Sequence, residues 1–153
     1  MKKRIIALGL LWCLSAVMLQ AARVDTVLVR SAAMNKDVKV VYVLPDKAIG
    51  KQACPVVYLL HGYGGNARSW VQLKPELPQM ADEKGIIFVC PDGKNSWYWD
   101  SPENPAYRYE TFVTSELVKY TDGNYATIPD RKARAISGLS MGGHGALWSA
   151  IRH

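Results

Sequence analysis

Five residues offer chemistry at once: Gly138-Leu139-Ser140-Met141-Gly142, the spacing G-x-S-x-G. A serine hydroxyl is a weak nucleophile unless the chain presents it in the open and a base removes its proton. Glycines two before and two after the serine allow a sharp strand-to-helix turn, because a Cβ at either position would collide with the neighbouring strand or helix. The apolar run Ala133 to Ile136 leads into the motif, and Gly143-His144-Gly145-Ala146-Leu147 follows it. That context fits a nucleophile elbow with Ser140 at its tip rather than a bare Gly/Ser turn.

An elbow needs a sheet to project from. Val24 to Val29 and Val38 to Leu44 are β-branched, partly alternating runs that read as an antiparallel pair, with the polar stretch 31 to 37 between them. Pro45 to Gln52 reads as a loop. Pro55 to Leu60 is an unbroken apolar run, which suits a strand covered on both faces, and it enters the glycine-rich loop His61-Gly62-Tyr63-Gly64-Gly65. Asn66 to Lys84 reads as helix, broken by Pro75 and Pro78 so that a second piece starts near Gln79, with Gly85 as its stop. Ile86 to Cys90 is a second buried-type strand ended by Pro91-Asp92-Gly93. A long aromatic loop, Lys94 to Tyr107, follows, then helical spacing over Glu110 to Tyr120 closed by Asp122-Gly123.

Strand and helix alternate, so the expected fold class is α/β: a mostly parallel sheet with crossover helices. Ligands bind beyond the carboxyl ends of the strands in such sheets. Gly62 to Gly65, Asp92 to Trp99 and Ser140 all fall there. Within the aromatic loop, Trp97, Tyr98 and Trp99 are candidates to stack on a sugar or phenolic ring. Asp92 and Asp100 read more simply as turn formers, and Trp70 as helix packing.

The first residues carry an address. Lys2-Lys3-Arg4 precedes an apolar run of 14 residues, Ile5 to Met18, and Leu19-Gln20-Ala21-Ala22 offers small residues for cleavage. The run is shorter than the roughly 20 residues that span a bilayer, so residues 1–22 read as a signal peptide and 23–153 as one domain, secreted or periplasmic. Losing that segment removes three positive charges and no negative ones, taking the net charge from +6 to +3. Such a modest excess without a charge run gives no reason to expect nucleic acid or, after cleavage, a membrane as partner. Cys13 leaves with the signal. Cys54 opens one strand and Cys90 closes another, about 15 Å apart at about 3.3 Å per residue, so both are expected as free, buried thiols. No metal-ligand cluster or cofactor motif is visible.

Four blocks in order, Tyr58-Leu59-Leu60-His61-Gly62-Tyr63-Gly64-Gly65, Pro91-Asp92-Gly93 with Asn95-Ser96-Trp97-Tyr98, Tyr109-Glu110-Thr111-Phe112, and Ser137-Gly138-Leu139-Ser140-Met141-Gly142-Gly143, resemble the amino-terminal half of an α/β-hydrolase of the esterase D-like family. That family includes feruloyl and acetyl-xylan esterases, S-formylglutathione hydrolases and mycolyltransferases. The resemblance implies a serine carboxylic-ester hydrolase acting through an acyl-Ser140 intermediate on a small-molecule or carbohydrate ester, with no cofactor. It makes the backbone N–H groups of Met141 and Tyr63 the oxyanion-hole donors. Acyltransfer to a sugar on the same scaffold, or a non-catalytic fragment, are the alternatives.

None of the three histidines fits as the base. His61 sits in the oxyanion loop, His144 shares the elbow's helix and points away from its tip, and His153 lies about three turns along that helix. In this fold the acid and then the histidine follow the serine, and the chain runs only 13 residues past Ser140. It is therefore expected to be a fragment of a longer esterase, inactive alone, with the strand before the elbow left as an aggregation-prone edge.

Overall fold

The computed structural model describes residues 22–153; the signal-peptide reading lies almost wholly on residues 1–21, outside the described residues. Five strands form one mixed sheet: β1 (Arg23–Ser31), β2 (Lys36–Leu44), β3 (Val56–Leu60), β4 (Ile87–Pro91) and β5 (Arg134–Gly138), in the order β1-β2-β4-β3-β5. β1 pairs antiparallel with β2, and β2 with β4, whereas β3 runs parallel to both β4 and β5. This is the α/β-hydrolase arrangement of a leading antiparallel pair followed by parallel crossover strands.

The β3 run is apolar throughout because both its faces are covered. Val56, Tyr58 and Leu60 point into one layer with Phe112, Val113, Leu117, Met141 and Ala146, while Leu59 points into the other with Leu77, Ala81, Phe88 and Cys90. The second layer comes from α2 (Ser69–Leu73) and α3 (Leu77–Lys84). The first comes from α4 (Tyr109–Thr111), the π-helical segment Phe112–Glu116, α5 (Leu117–Asn124) and α6 (Met141–Arg152). Cys54 and Cys90 are free and buried, and they sit in opposite layers. Burial pushes the Cys90 thiol up to about 12, so it is inert at neutral pH.

Three local expectations are corrected. The stretch after Pro45 holds a short helix, α1 (Asp46–Ile49), with Pro45 as its N-cap. The second helical piece begins at Leu77, not Gln79, because Pro78 falls in the first turn, where a missing N–H costs no intrahelical bond. α5 runs through Asp122-Gly123 to Asn124, and the Asp122 carboxylate is occupied by Thr127 Oγ1 at 2.7 Å and by Arg134. Gly85 does end α3, in the left-handed conformation at φ 63°.

Candidate active site

β5 delivers the chain to the elbow and α6 carries it away. Ser140 is exposed at the N-cap of α6 with φ 54° and ψ −116°, a backbone conformation costly for a residue with a Cβ. The flanking glycines show why the turn tolerates nothing larger. A Cβ on Gly138 would sit 2.2 Å from the Gly142 carbonyl, and one on Gly142 would sit 2.2 Å from the Leu60 carbonyl oxygen. The helix start is thus wedged against the end of β3.

That same Leu60 carbonyl accepts two hydrogen bonds, from Leu139 N at 3.2 Å and from Trp70 Nε1 at 3.0 Å. Trp70 is therefore a packing and anchoring residue, as its helical position implied. Directly after Leu60, residues 62–65 form a turn closed by Gly65 N to Gly62 O at 3.0 Å, with Gly64 at φ 76°. A Cβ on Gly62 would lie 3.6 Å from Ser140 Cβ, so this turn and the elbow are in contact. Neither the N–H of Tyr63 nor that of Met141 has an acceptor among the described residues. Tyr63 is exposed and Met141 is fully buried at the first position of α6, where the helix end carries partial positive charge.

His61 is buried and fully used. Its Nδ1 lies 2.7 Å from Gly62 O and its Nε2 accepts the Gly93 N–H at 2.9 Å, which fits a neutral ring with the proton on Nδ1. Asp92 Oδ1 is 3.6 Å from Nε2, too far for a hydrogen bond. Burial alone would raise the Asp92 carboxyl. The Lys94 ammonium at 2.9 Å and backbone N–H at 3.0 Å outweigh it and hold Asp92 well below the usual carboxylate range. Asp92 is thus a charged turn former, and Asp100 is likewise local, accepting the Thr111 N–H at 3.0 Å at the start of the helix.

The aromatic triplet divides. Lys94, Trp97 and Tyr98 all have positive φ, at 50°, 57° and 59°, so this loop stores backbone strain. Trp97 and Trp99 are about half exposed, but Tyr98 is fully buried, which corrects its placement among substrate-contacting residues. Its ring fills the space a Cβ would take on Gly93 and on Gly145, and its hydroxyl donates to His61 O at 3.2 Å. Tyr98 is a strut from which Trp97 and Trp99 emerge on either side.

Those two indoles flank His144, with ring centroids 5.5 and 5.4 Å away, and Trp148 stacks on His144 one turn further along α6 at 6.2 Å. His144 Nδ1 also meets Trp97 O at 3.2 Å. His153 Nε2 contacts Glu110 Oε1 at 2.9 Å. All three histidines are therefore engaged away from Ser140. His144 and Trp148, four apart on one helix, could have been read as sharing a face.

Glu110 belongs to the Tyr109-Glu110-Thr111-Phe112 block, but nothing in the sequence gives it a role. It is buried and accepts Trp148 Nε1 at 2.8 Å and Arg152 Nε at 2.8 Å in addition to His153, tying α4 to α6. Burial pushes its carboxyl up, but these three donors and the Arg152 charge prevail and bring it to about 2. Only the folded chain reveals this clamp, because its partners lie some forty residues downstream.

Comparison with known proteins agrees with this geometry. The family model described as "Putative esterase" matches residues 31–153. Acetyl esterase of Caldicellulosiruptor saccharolyticus is 28% identical over 131 residues, covering 80% of this chain and 48% of that protein. S-formylglutathione hydrolase of Bos taurus is 31% identical over 134 residues, covering 74% and 46%. A solved ferulic acid esterase superposes with a TM-score of 0.71 at 30% identity, covering 86% of this chain and 56% of that one. The chain spans about half the length of the curated relatives it matches. An elbow serine, a glycine turn touching it and a matched model over most of the sequence lead to one assignment: the chain belongs to the Putative esterase family of α/β-hydrolases.

Proposed function

We propose that the full-length protein is a serine carboxylic-ester hydrolase that deacylates an acylated carbohydrate. The observation that carries this reading is Ser140, exposed and strained at the start of α6, beside two backbone N–H groups, of Met141 and Tyr63, that have no partner among the described residues. Ser140 Oγ bonds to the ester carbonyl carbon as a base takes its proton, and the two N–H groups receive the negative charge that develops on the carbonyl oxygen. The tetrahedral intermediate collapses, the alcohol leaves with a proton, and water then cleaves the acyl-serine. Losing one oxyanion donor costs about 3 kcal/mol of barrier, or roughly a hundredfold in rate. The histidine base and its acid are assigned to the part of the family fold that this chain does not span.

The carbohydrate alcohol is supported by Trp97 and Trp99, half-exposed indoles packed on His144 one helical turn past the elbow serine. Residues 1–22 are read as an export signal, which places the enzyme outside the cytoplasm. The test is release of nitrophenol from nitrophenyl acetate by full-length protein recovered from the exported fraction, with its amino terminus sequenced. Activity that vanishes in Ser140→Ala supports the reading, and activity retained in that variant overturns it. An added sugar acceptor that becomes acylated in place of hydrolysis would point instead to acyltransfer.

A further inference from the structure

The turn holding the Tyr63 N–H is not held by its own residues alone. Gly64 sits at φ 76° and Gly65 N bonds Gly62 O, so Gly62 to Gly65 is a type II β-turn, with Tyr63 and Gly64 at its corners. The type I alternative differs by a flip of the peptide between Tyr63 and Gly64. In the observed form that peptide's N–H points outward, and Asn95 Oδ1 accepts it at 2.8 Å. After the flip a carbonyl would face the Asn95 oxygen instead.

Asn95 is itself held in place. Its loop is fastened on one side by the Lys94 N–H to Asp92 at 3.0 Å. On the other, Ser96 Oγ donates to Gly93 O at 2.6 Å and accepts the Tyr98 N–H at 3.0 Å. The acceptor is therefore preorganised, and it is carried by the same loop that presents Trp97 and Trp99.

We propose that Asn95 is a positioning residue: by anchoring the Gly64 N–H at the tip of the Gly62–Gly65 turn it fixes where that turn, and with it the adjacent Tyr63 N–H, sits against the elbow, coupling the aromatic loop to the catalytic geometry. The catalytic consequence rests on the esterase reading above; the anchoring itself does not. Asn95 acts here through the turn it anchors, so its loss should lower turnover and leave ground-state binding of a small ester nearly unchanged.

Two measurements on full-length protein test this separately. Amide hydrogen exchange reads the anchoring without reference to activity: the Gly64 N–H is expected to exchange at least tenfold faster in Asn95→Ala than in wild type. An unchanged Gly64 rate overturns the anchoring, whatever the enzyme does. Kinetics with nitrophenyl acetate, taken above the Ser140→Ala background, read the coupling. Asn95→Ala is expected to lower kcat about tenfold or more with KM within twofold, since one oxyanion donor is misplaced rather than removed. Gly64→Ala has open space around its new Cβ but a strained φ, so it disturbs the same turn, and the double variant should be little worse than the poorer single one. A kcat that stays within twofold in Asn95→Ala, or losses that multiply in the double variant, overturns the coupling. Wild-type rates no higher than that background would instead count against the esterase reading alone.

Discussion

Strands β3 and β5 run parallel in matched register, Val56 opposite Arg134 through Leu60 opposite Gly138, and each feeds a loop of the candidate site. Their surroundings differ. Four of the five β3 residues are buried, whereas β5 alternates between half-buried and exposed and is the last strand of the sheet among the described residues. The helix after β5 repeats the contrast: Met141 and Ala146 are buried on its inner side, while Leu147 and Ile151 are 68% and 83% exposed on its outer side. Among the described residues, the elbow's close contacts lie on its inner seam with β3, through Gly138, Gly142 and the Leu60 carbonyl.

The contrast can be broken most directly at the seam. Gly142→Ala drives a Cβ into the Leu60 carbonyl, and backbone cannot step aside cheaply, so about 3 kcal/mol of stability should be lost, whereas Leu147→Gln on the outside of the same helix should change it by less than about 0.5 kcal/mol. Urea denaturation of both variants measures the difference. Comparable losses would mean that the outer flank is covered after all.

A smaller effect is expected at Glu110, which ties α4 to α6. Glu110→Gln should cost about 2 kcal/mol at neutral pH, because hydrogen bonds to a buried charge are replaced by weaker ones. The pH dependence has a definite sign. With the folded carboxyl near 2 and a free glutamate near 4.3, the contribution is fully present above about pH 4.5 and is lost as pH falls toward 2. Wild type should lose stability through that window more steeply than Glu110→Gln in acid titrations followed by circular dichroism.

The smallest effect has the opposite sign. Ser140→Gly removes the Cβ that makes φ 54° and ψ −116° costly, so it should raise stability by about 1 kcal/mol while deleting the proposed nucleophile. A thermal melt that shows no gain would mean the elbow is not strained.

The pattern of what the sequence disclosed follows from interaction range. The paired leading strands, the buried β3 and β4 runs and the elbow all announce themselves through neighbours within a few residues, and the structure has them in place. Tyr98 reads like Trp97 and Trp99, because burial depends on Gly93 and on Gly145 from a different element. Glu110 reads as an ordinary helix-start acid until α6 brings Trp148 and Arg152 to it. Asn95 is one more loop asparagine until the turn after β3 offers it the Gly64 N–H. Pro78 misleads for a local reason: a proline is a breaker or a first-turn residue depending on where the helix begins, and packing of Leu77 into the core decides that.

The most direct measurement is active-site labelling of the full-length protein with a fluorophosphonate, followed by peptide mapping. A single adduct on the peptide containing Ser140, abolished in Ser140→Ala, is the predicted result. An adduct on another residue, or labelling that survives in Ser140→Ala, would contradict Ser140 as the nucleophile.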